Sequence, residues 1–261
     1  MSLDFSFKGI NAIDKNFITQ DIIISPLARQ EERVLDIPKV PGLIQVSKKF
    51  TKREIKIRGI LYGSSSSDLV EKIKEFSAFL FSEEDEQLIC SEQPDKHYLA
   101  QHIKYIELER EPTLVTFELE FNCNDPFGYT TIPTSGNQNC ITKPTTIPIN
   151  NEGNYKACPI WIITFTQAQT YIKLYNDDNS EIFNITRTFA IGDKLKIDTK
   201  DKNIYYDSGA GYVEDWLGVG SGGENRADFV KLKVGNKNYY ITTIDASLNV
   251  NVSWSFNETW L

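Results

Sequence analysis

A chain of 261 residues with 40% hydrophobic and 25% charged side chains has the makeup of a folded protein of one or two domains, each half large enough to bury its own core. Its formal charge of -8 argues against sequence-independent nucleic-acid binding, which draws on Lys and Arg to neutralise phosphates. No apolar run approaches the roughly 18 residues of a membrane-spanning helix, so no membrane insertion is expected. The acid is unevenly spread: residues 1–130 carry 16 basic and 22 acidic side chains, residues 131–261 carry 12 and 14. The opening MSLDFSFKGI lacks the charged start and apolar core of a signal peptide, which predicts action inside the producing cell or exit by another route.

Leu3-Asp4-Phe5-Ser6-Phe7 alternates and ends at Gly9, a short strand and turn; a second apolar run, Phe17 to Ile24, stops at Pro26. Residues 29–41 mix charge with isolated Val34, Leu35, Ile37 and Val40. They read as an extended arm ending at Pro41-Gly42, lying either on a neighbouring chain or as a surface loop. Leu43 to Tyr62 reads as a hairpin, and Lys48, Lys49, Lys52 and Arg53 make it the most basic stretch. Stacking aromatics are sparse there, Phe50 and Tyr62 only, so the readings are a solvated strand face or a contact with an acidic partner.

After Gly63-Ser64-Ser65-Ser66-Ser67, the spacing of Leu69, Ile73, Phe76 and Leu80 predicts a helix over 68–81 with one apolar face. Asp68 is the expected N-cap, with Glu71 completing a capping box. Ser82-Glu83-Glu84-Asp85-Glu86 reads as an acidic turn. Gln87–Cys90 and Tyr98–Leu108 are strands around a breaker-rich turn. The strongest strand signal is 114–122, where Val115, Phe117, Leu119 and Phe121 alternate with Thr116, Glu118, Glu120 and Asn122. Asn124-Asp125-Pro126-Phe127-Gly128 ends it. The expectation is an α+β domain over 1–131 with one helix and a hairpin arm, then an all-strand domain over 132–261.

In that second half, Thr130–Thr146 reads as linker with one strand near Cys140-Ile141. Strands are expected at 159–166, 170–175, 182–186, 194–198, 203–206, 228–234, 238–242 and 247–254, separated by turns such as Gly192-Asp193 and Gly235-Asn236. So many short strands without a helix predict a two-sheet sandwich. Gly218–Gly223 lacks the Lys and following helix of a phosphate-binding loop.

No catalytic centre is legible. Cys90, Cys123, Cys140 and Cys158 have no metal-ligand or CxxC spacing and read as small apolar residues in a reducing compartment. His97 and His102 are the only histidines, no serine lies in GxSxG, and no carboxylate pair is favoured by its spacing. No metal or cofactor is expected. Trp161, Trp216, Trp254 and Trp260 fall in the sandwich half with eight tyrosines; Trp216 and Tyr212 are the candidate contacts for a partner or a glycan.

Taken in order, Phe5-Ser6-Phe7-Lys8-Gly9-Ile10, Val40-Pro41-Gly42, Phe76-Ser77-Ala78-Phe79-Leu80, Pro94-Asp95-Lys96-His97-Tyr98-Leu99-Ala100 and Phe121-Asn122-Cys123-Asn124-Asp125-Pro126-Phe127 resemble the distal tail proteins of long, non-contractile phage tails. Asn151-Glu152-Gly153, Cys158-Pro159-Ile160, Gly192–Asp198 and Gly235-Asn236 extend the resemblance through the second half. It implies a galectin-like β-sandwich for the second domain, in a short form without an inserted carbohydrate-binding module. It also implies a non-enzymatic tail-tip hub in the virion, assembled in the host cytoplasm. There the first domains of a homohexamer form a ring that passes DNA. The implied partners are the tail tube protein, the tail-tip or tail-associated lysin protein, and receptor-binding or other peripheral baseplate proteins. Subunit contacts are expected on the arm and hairpin (Arg29, Arg33, Lys48, Lys49, Lys52 and Arg53), facing an acidic surface such as Glu83–Glu86 of the next copy. The alternative is a carbohydrate-binding adhesion protein using the sandwich aromatics. Infectious phage, prophage and tail-derived particle all stay open.

Overall fold

The computed structural model describes residues 3–36, 42–177, 181–214, 226–227, 229 and 231–261. The protein is mainly β, with one α-helix among the described residues. It divides into two compact units, Met1–Thr131 with Trp260–Leu261, and Ile132–Thr259.

The first unit contains β1 (Phe5–Phe7), β2 (Ile10–Asn11), β3 (Phe17–Ile24), β4 (Gln30–Asp36), β5 (Leu43–Phe50), β6 (Arg53–Tyr62), α1 (Ser66–Leu80), β7 (Glu86–Cys90), β8 (Lys96–Arg110), β9 (Leu114–Cys123) and β10 (Gly128–Thr130). Its main sheet runs β2-β1-β7-β8-β9-β6-β3, with β10 beside the start of β8. Alternation places Ile55, Ile57 and Leu61 of β6 and Val115, Phe117, Leu119 and Phe121 of β9 on one buried face. The helix covers that core with Leu69, Phe76, Phe79 and Leu80, and Ile73 packs at its margin. Phe76 stacks on Phe17 of β3 at 4.7 Å between ring centres, and Phe7 meets Phe121 edge-on at 5.3 Å. Gly59 makes room for Phe17: a Cβ there would lie 2.5 Å from both its ring and the Ile18 carbonyl oxygen.

Two local expectations are corrected. The helix cap is Ser65, not Asp68: Ser65 Oγ accepts from the Asp68 N–H, while the Asp68 carboxylate reaches back to the Ser64 N–H at 2.7 Å. Asp68 therefore holds the acidic position of the box, two hydrogen bonds from Ser64 holding its carboxyl below the usual range. The segment 43–62 is not a hairpin either. β5 pairs with β4 as a separate two-stranded ribbon, whereas β6 lies between β3 and β9 in the main sheet. The arm supplies one strand of the ribbon, and Thr51-Lys52 switches the chain into the sheet.

The second unit contains β11 (Thr134–Cys140), β12 (Thr145–Asn151), β13 (Ile160–Phe165), β14 (Gln169–Asn176), β15 (Glu181–Phe189), β16 (Lys194–Asp198), β17 (Asn203–Asp207), β18 (Val213–Glu214), β19 (Arg226–Ala227), β20 (Gly235–Thr242) and β21 (Val250–Phe256). A six-stranded sheet, β11-β21-β13-β16-β17-β18, and a five-stranded sheet, β12-β20-β14-β15-β19, share one core. Trp161, Ile163 and Phe165 from the first meet Ile172, Leu174 and Phe189 from the second, and Phe165 stacks on Phe189 at 4.0 Å. The last strand, β22 (Thr259–Trp260), pairs with β10.

The expected linker 130–146 is largely sheet, since β11 and β12 occupy it. It escaped the pattern because β11 is TSGNQNC, with no apolar alternation before Cys140. Its Gly136 accommodates the Trp254 ring, which a Cβ would meet at 2.4 Å. Among the described residues of 228–234 the expected strand is absent, Leu232 making only an isolated bridge to Ala157, and Gly235 begins β20 instead of ending a strand.

Phe76→Ala and Leu80→Ala should each cost about 2–5 kcal/mol in a denaturant melt, as buried large-to-small changes do; a loss under about 0.5 kcal/mol would mean the helix face is not core. Gly59→Ala should cost about 1–3 kcal/mol because backbone on β3, not a flexible side chain, blocks the new methyl. An unchanged midpoint would refute that close approach.

Candidate interaction surfaces

The ribbon carries most of the cations singled out in the sequence. Arg29, Arg33, Lys48 and Lys49 are exposed, and Lys52 is half-buried at its base. Register places Glu31 opposite Lys49 and Glu32 opposite Lys48, with Lys48 Nζ 3.5 Å from the Glu32 carboxylate. Lys52 pairs with Glu54 at 2.8 Å, and this holds the Glu54 carboxyl below its usual range. The stretch that looks basic in sequence is thus balanced across strands. Arg29, Lys49 and Lys52 converge with Glu31, Phe50 and Asn124 on an open concavity of about 380 Å³. Asn124 also donates to Asp85 at 3.2 Å, so the acidic turn stands next to this concavity in its own protomer. Beside these charges the ribbon leaves Val34, Leu35 and Val46 about half exposed, and Val46 is the extra residue of a β-bulge.

Arg53 is a correction. It is 3% exposed and cannot serve as a surface cation. It shares the inward phase of Ile55 and Ile57, so its guanidinium enters the core, 5.4 Å from the Tyr98 ring centre with Nη1 3.4 Å from the Tyr98 hydroxyl. Tyr98 in turn donates to Gln93 Oε1 at 2.8 Å. Burial, opposed by Arg53, raises the Tyr98 phenol above its usual range.

Sequence reasoning missed the free edges of the main sheet. β7 accompanies β8 only along residues 98–100, so from Gln101 to Arg110 the β7 side of β8 has no strand among the described residues. Ile103, Tyr105, Ile106 and Leu108 are exposed along that segment, and Ile18 and Ile23 are exposed on β3 at the far end of the sheet. The signal was present: register sets Tyr105 opposite Leu119 on one face and Ile106 opposite Glu118 on the other, with Ile103 and Leu108 the extra residues of two β-bulges, so apolar residues are not confined to the core face.

In the second unit, Tyr212 is exposed beside a turn organised by Asp207, whose Oδ1 accepts from the Gly209 and Gly211 N–H groups at 2.8 Å each. Those bonds hold the Asp207 carboxyl low. Trp216 and Gly218–Gly223 lie outside the described residues. Trp161 is fully buried, Trp254 packs on the sandwich core, and Trp260 belongs to the first unit, where Lys96 Nζ sits 4.3 Å from its ring. Of the second unit's described tryptophans, one is thus buried and the other half-buried against the core.

Burial pushes the Cys90 and Cys123 thiols up to about 12 and Cys140 to about 11, the opposite of a thiolate nucleophile. His102, half-buried against Phe121, is depressed by desolvation. Among the described residues no three His, Cys, Asp or Glu side chains are grouped to hold a metal ion.

Residues 10–123 match the family model described as a phage tail protein RIFT-related domain, and residues 152–260 match that of the siphovirus-type tail component, C-terminal domain. No curated protein sequence matches significantly. Among solved structures, the crystal structure of phage SPP1 Dit superposes with a TM-score of 0.81 at 16% identity, covering 100% of both chains. It is described as a paradigm of the hub adsorption apparatus in phages that infect Gram-positive bacteria. A chain of the phage P2 baseplate in its activated conformation with Ca gives 0.49 at 10% identity, covering 99% of this chain and 98% of that one. With two tail-component domains matched in order along almost its whole length, the chain belongs to the siphophage distal tail protein family.

Proposed function

We propose that this tail component is the structural hub at the distal end of the tail, and that six copies close into a ring through their first units. The ring would continue the tail tube, pass DNA, and hold the tail-tip protein. The second units would carry receptor-binding or other peripheral proteins. Assembly takes place in the host cytoplasm, and the protein performs no catalysis. The SPP1 protein's description as part of a hub apparatus favours the role, and the raised thiols accord with a non-enzymatic chain.

The observation that carries the ring is the pair of unlike free edges, β3 at one end of the β8-β9-β6-β3 strand set and residues 101–110 of β8 at the other. Among the described residues each combines backbone that no neighbouring strand pairs with exposed apolar side chains, a liability that proteins ordinarily cover. Because the two edges differ, their contact is heterologous, and a heterologous contact repeated by a closing rotation makes a ring. The ribbon supplies a second contact through Val34, Leu35 and Val46, with Arg29, Arg33, Lys48, Lys49 and Lys52 at its rim.

Light scattering of the purified chain over a range of concentrations should show a species near six times 29.8 kDa. A mass of 29.8 kDa throughout would remove self-closure. Ile103→Lys with Ile106→Lys should shift that mass to the monomer with little change in melting temperature, since both side chains are already exposed. A hexamer that survives both lysines would sink the edge contact. Arg29→Glu with Lys49→Glu should weaken assembly only at low salt, the difference fading near 1 M, where the Debye length is about 3 Å. A salt-independent defect would contradict a rim role for these cations.

A further inference from the structure

We propose that the outer edge of β11 receives an extended, uncharged segment of a different tail protein, which adds a strand to the six-stranded sheet of the second unit. This goes beyond the hub reading and rests on it only for the exclusion of self-pairing given below.

β11 is the terminal strand of its sheet, paired along all seven residues with β21 on one side and with no strand among the described residues on the other. Alternate N–H and C=O groups along Thr134–Cys140 therefore point away from the sheet. Of the other terminal strands, β12 carries Pro148 at its centre, which removes a ladder donor, and β18 and β19 span two residues each among the described residues. β11 has neither brevity, proline nor charge: TSGNQNC is an unblunted edge of the kind that templates another strand.

A second observation adjoins it. On the outer face of the same sheet an open concavity of about 380 Å³ is lined by Ser135, Asn137, Ile160, Ile162, Ser253 and Ser255, together with Gly136 and Trp254. An added strand places alternate side chains on that face, so edge and concavity together form a backbone ladder with a side-chain seat, the two elements of strand-addition recognition. The seat has hydroxyl, amide, aliphatic and indole groups but no charge, and this selects an uncharged segment. A glycan would want an exposed aromatic face, whereas the one indole that lines the seat, Trp254, is half-buried, packs on the core and closes over Gly136. A second copy is disfavoured because β11 against β11 is a two-fold contact, which a cyclic six-fold hub does not supply.

The test is amide hydrogen exchange, read over residues 134–140 in the purified chain and in tail particles that contain it. The expected result is fast exchange of the outward amides in the purified chain and exchange about tenfold slower, or more, in particles. Ser135→Lys with Asn137→Lys, both at exposed positions, applies the lysine blunting that natural edges use. That variant should melt and assemble as the parent does, yet lose the slowing in particles. Unslowed exchange in parental particles overturns the proposal. So does slowing that appears in the purified chain as its concentration rises, which identifies a second copy, or slowing produced by soluble host cell-wall polysaccharide, which identifies a glycan. Slowing retained by the lysine variant also overturns it. Failure of the ring reading is a separate result, a monomeric mass in light scattering.

Discussion

Every strand has two sides, and each backbone N–H and C=O on either side needs a partner. That constraint organises this protein. Within each unit the central strands are paired on both sides and their inward side chains close a core around stacked rings, Phe17 on Phe76 in one and Phe165 on Phe189 in the other. The exceptions have a simple geometric origin. β8 is fifteen residues long and β7 is five, so the longer strand outruns its neighbour. The exposed Ile103, Tyr105, Ile106 and Leu108 begin where β7 stops. Unpaired backbone and uncovered apolar surface coincide, which is why they are better read as one interface than as two imperfections.

What was legible in the sequence follows from how local each determinant is. The helix was readable because Leu69, Ile73, Phe76 and Leu80 are neighbours on one face, and β9 because its alternation survives over its whole length. Pairing was not readable. β5 and β6 are adjacent in sequence and look like a hairpin, but their partners, β4 for one and β3 and β9 for the other, are chosen by long-range burial. β11 was invisible for the opposite reason, since an edge strand of Ser, Asn and Gln gives no periodic signal at all. Of the residues marked for interaction, Arg29, Arg33, Lys48, Lys49 and Tyr212 do lie at the surface, and Lys52 lies half-buried at the ribbon base. Charge alone could not show that Arg53 turns inward, because only its phase with Ile55 and Ile57 carries that information.

Arg53 also shows how the charge of the chain is managed. A guanidinium taken out of water is costly unless its N–H groups find acceptors. Here the Tyr98 hydroxyl and ring are its recorded partners, and Nε and Nη2 have none among the described residues. Several surface cations behave differently. Lys48 with Glu32, Lys52 with Glu54 and Lys56 with Glu118 are exposed or half-exposed pairs, each worth about 1 kcal/mol or less in water. Their effect is to neutralise the surface locally rather than to build a one-signed field.

That local balance bears on which force can join copies of this chain. If cations and acids were segregated, association would be steered by charge and would dissolve in salt. Instead the ribbon cancels much of its own charge, and the acidic turn stands next to the cationic concavity of the same protomer through Asn124. Along the free edges of the described residues lie exposed apolar side chains and backbone without a neighbouring strand, contacts that salt does not screen and that another strand satisfies. A tail component has to stay assembled through changes of ionic environment while its own core remains closed. A protomer that assembles through its strand edges meets that requirement, because such contacts cover edge backbone and apolar side chains without opening either core.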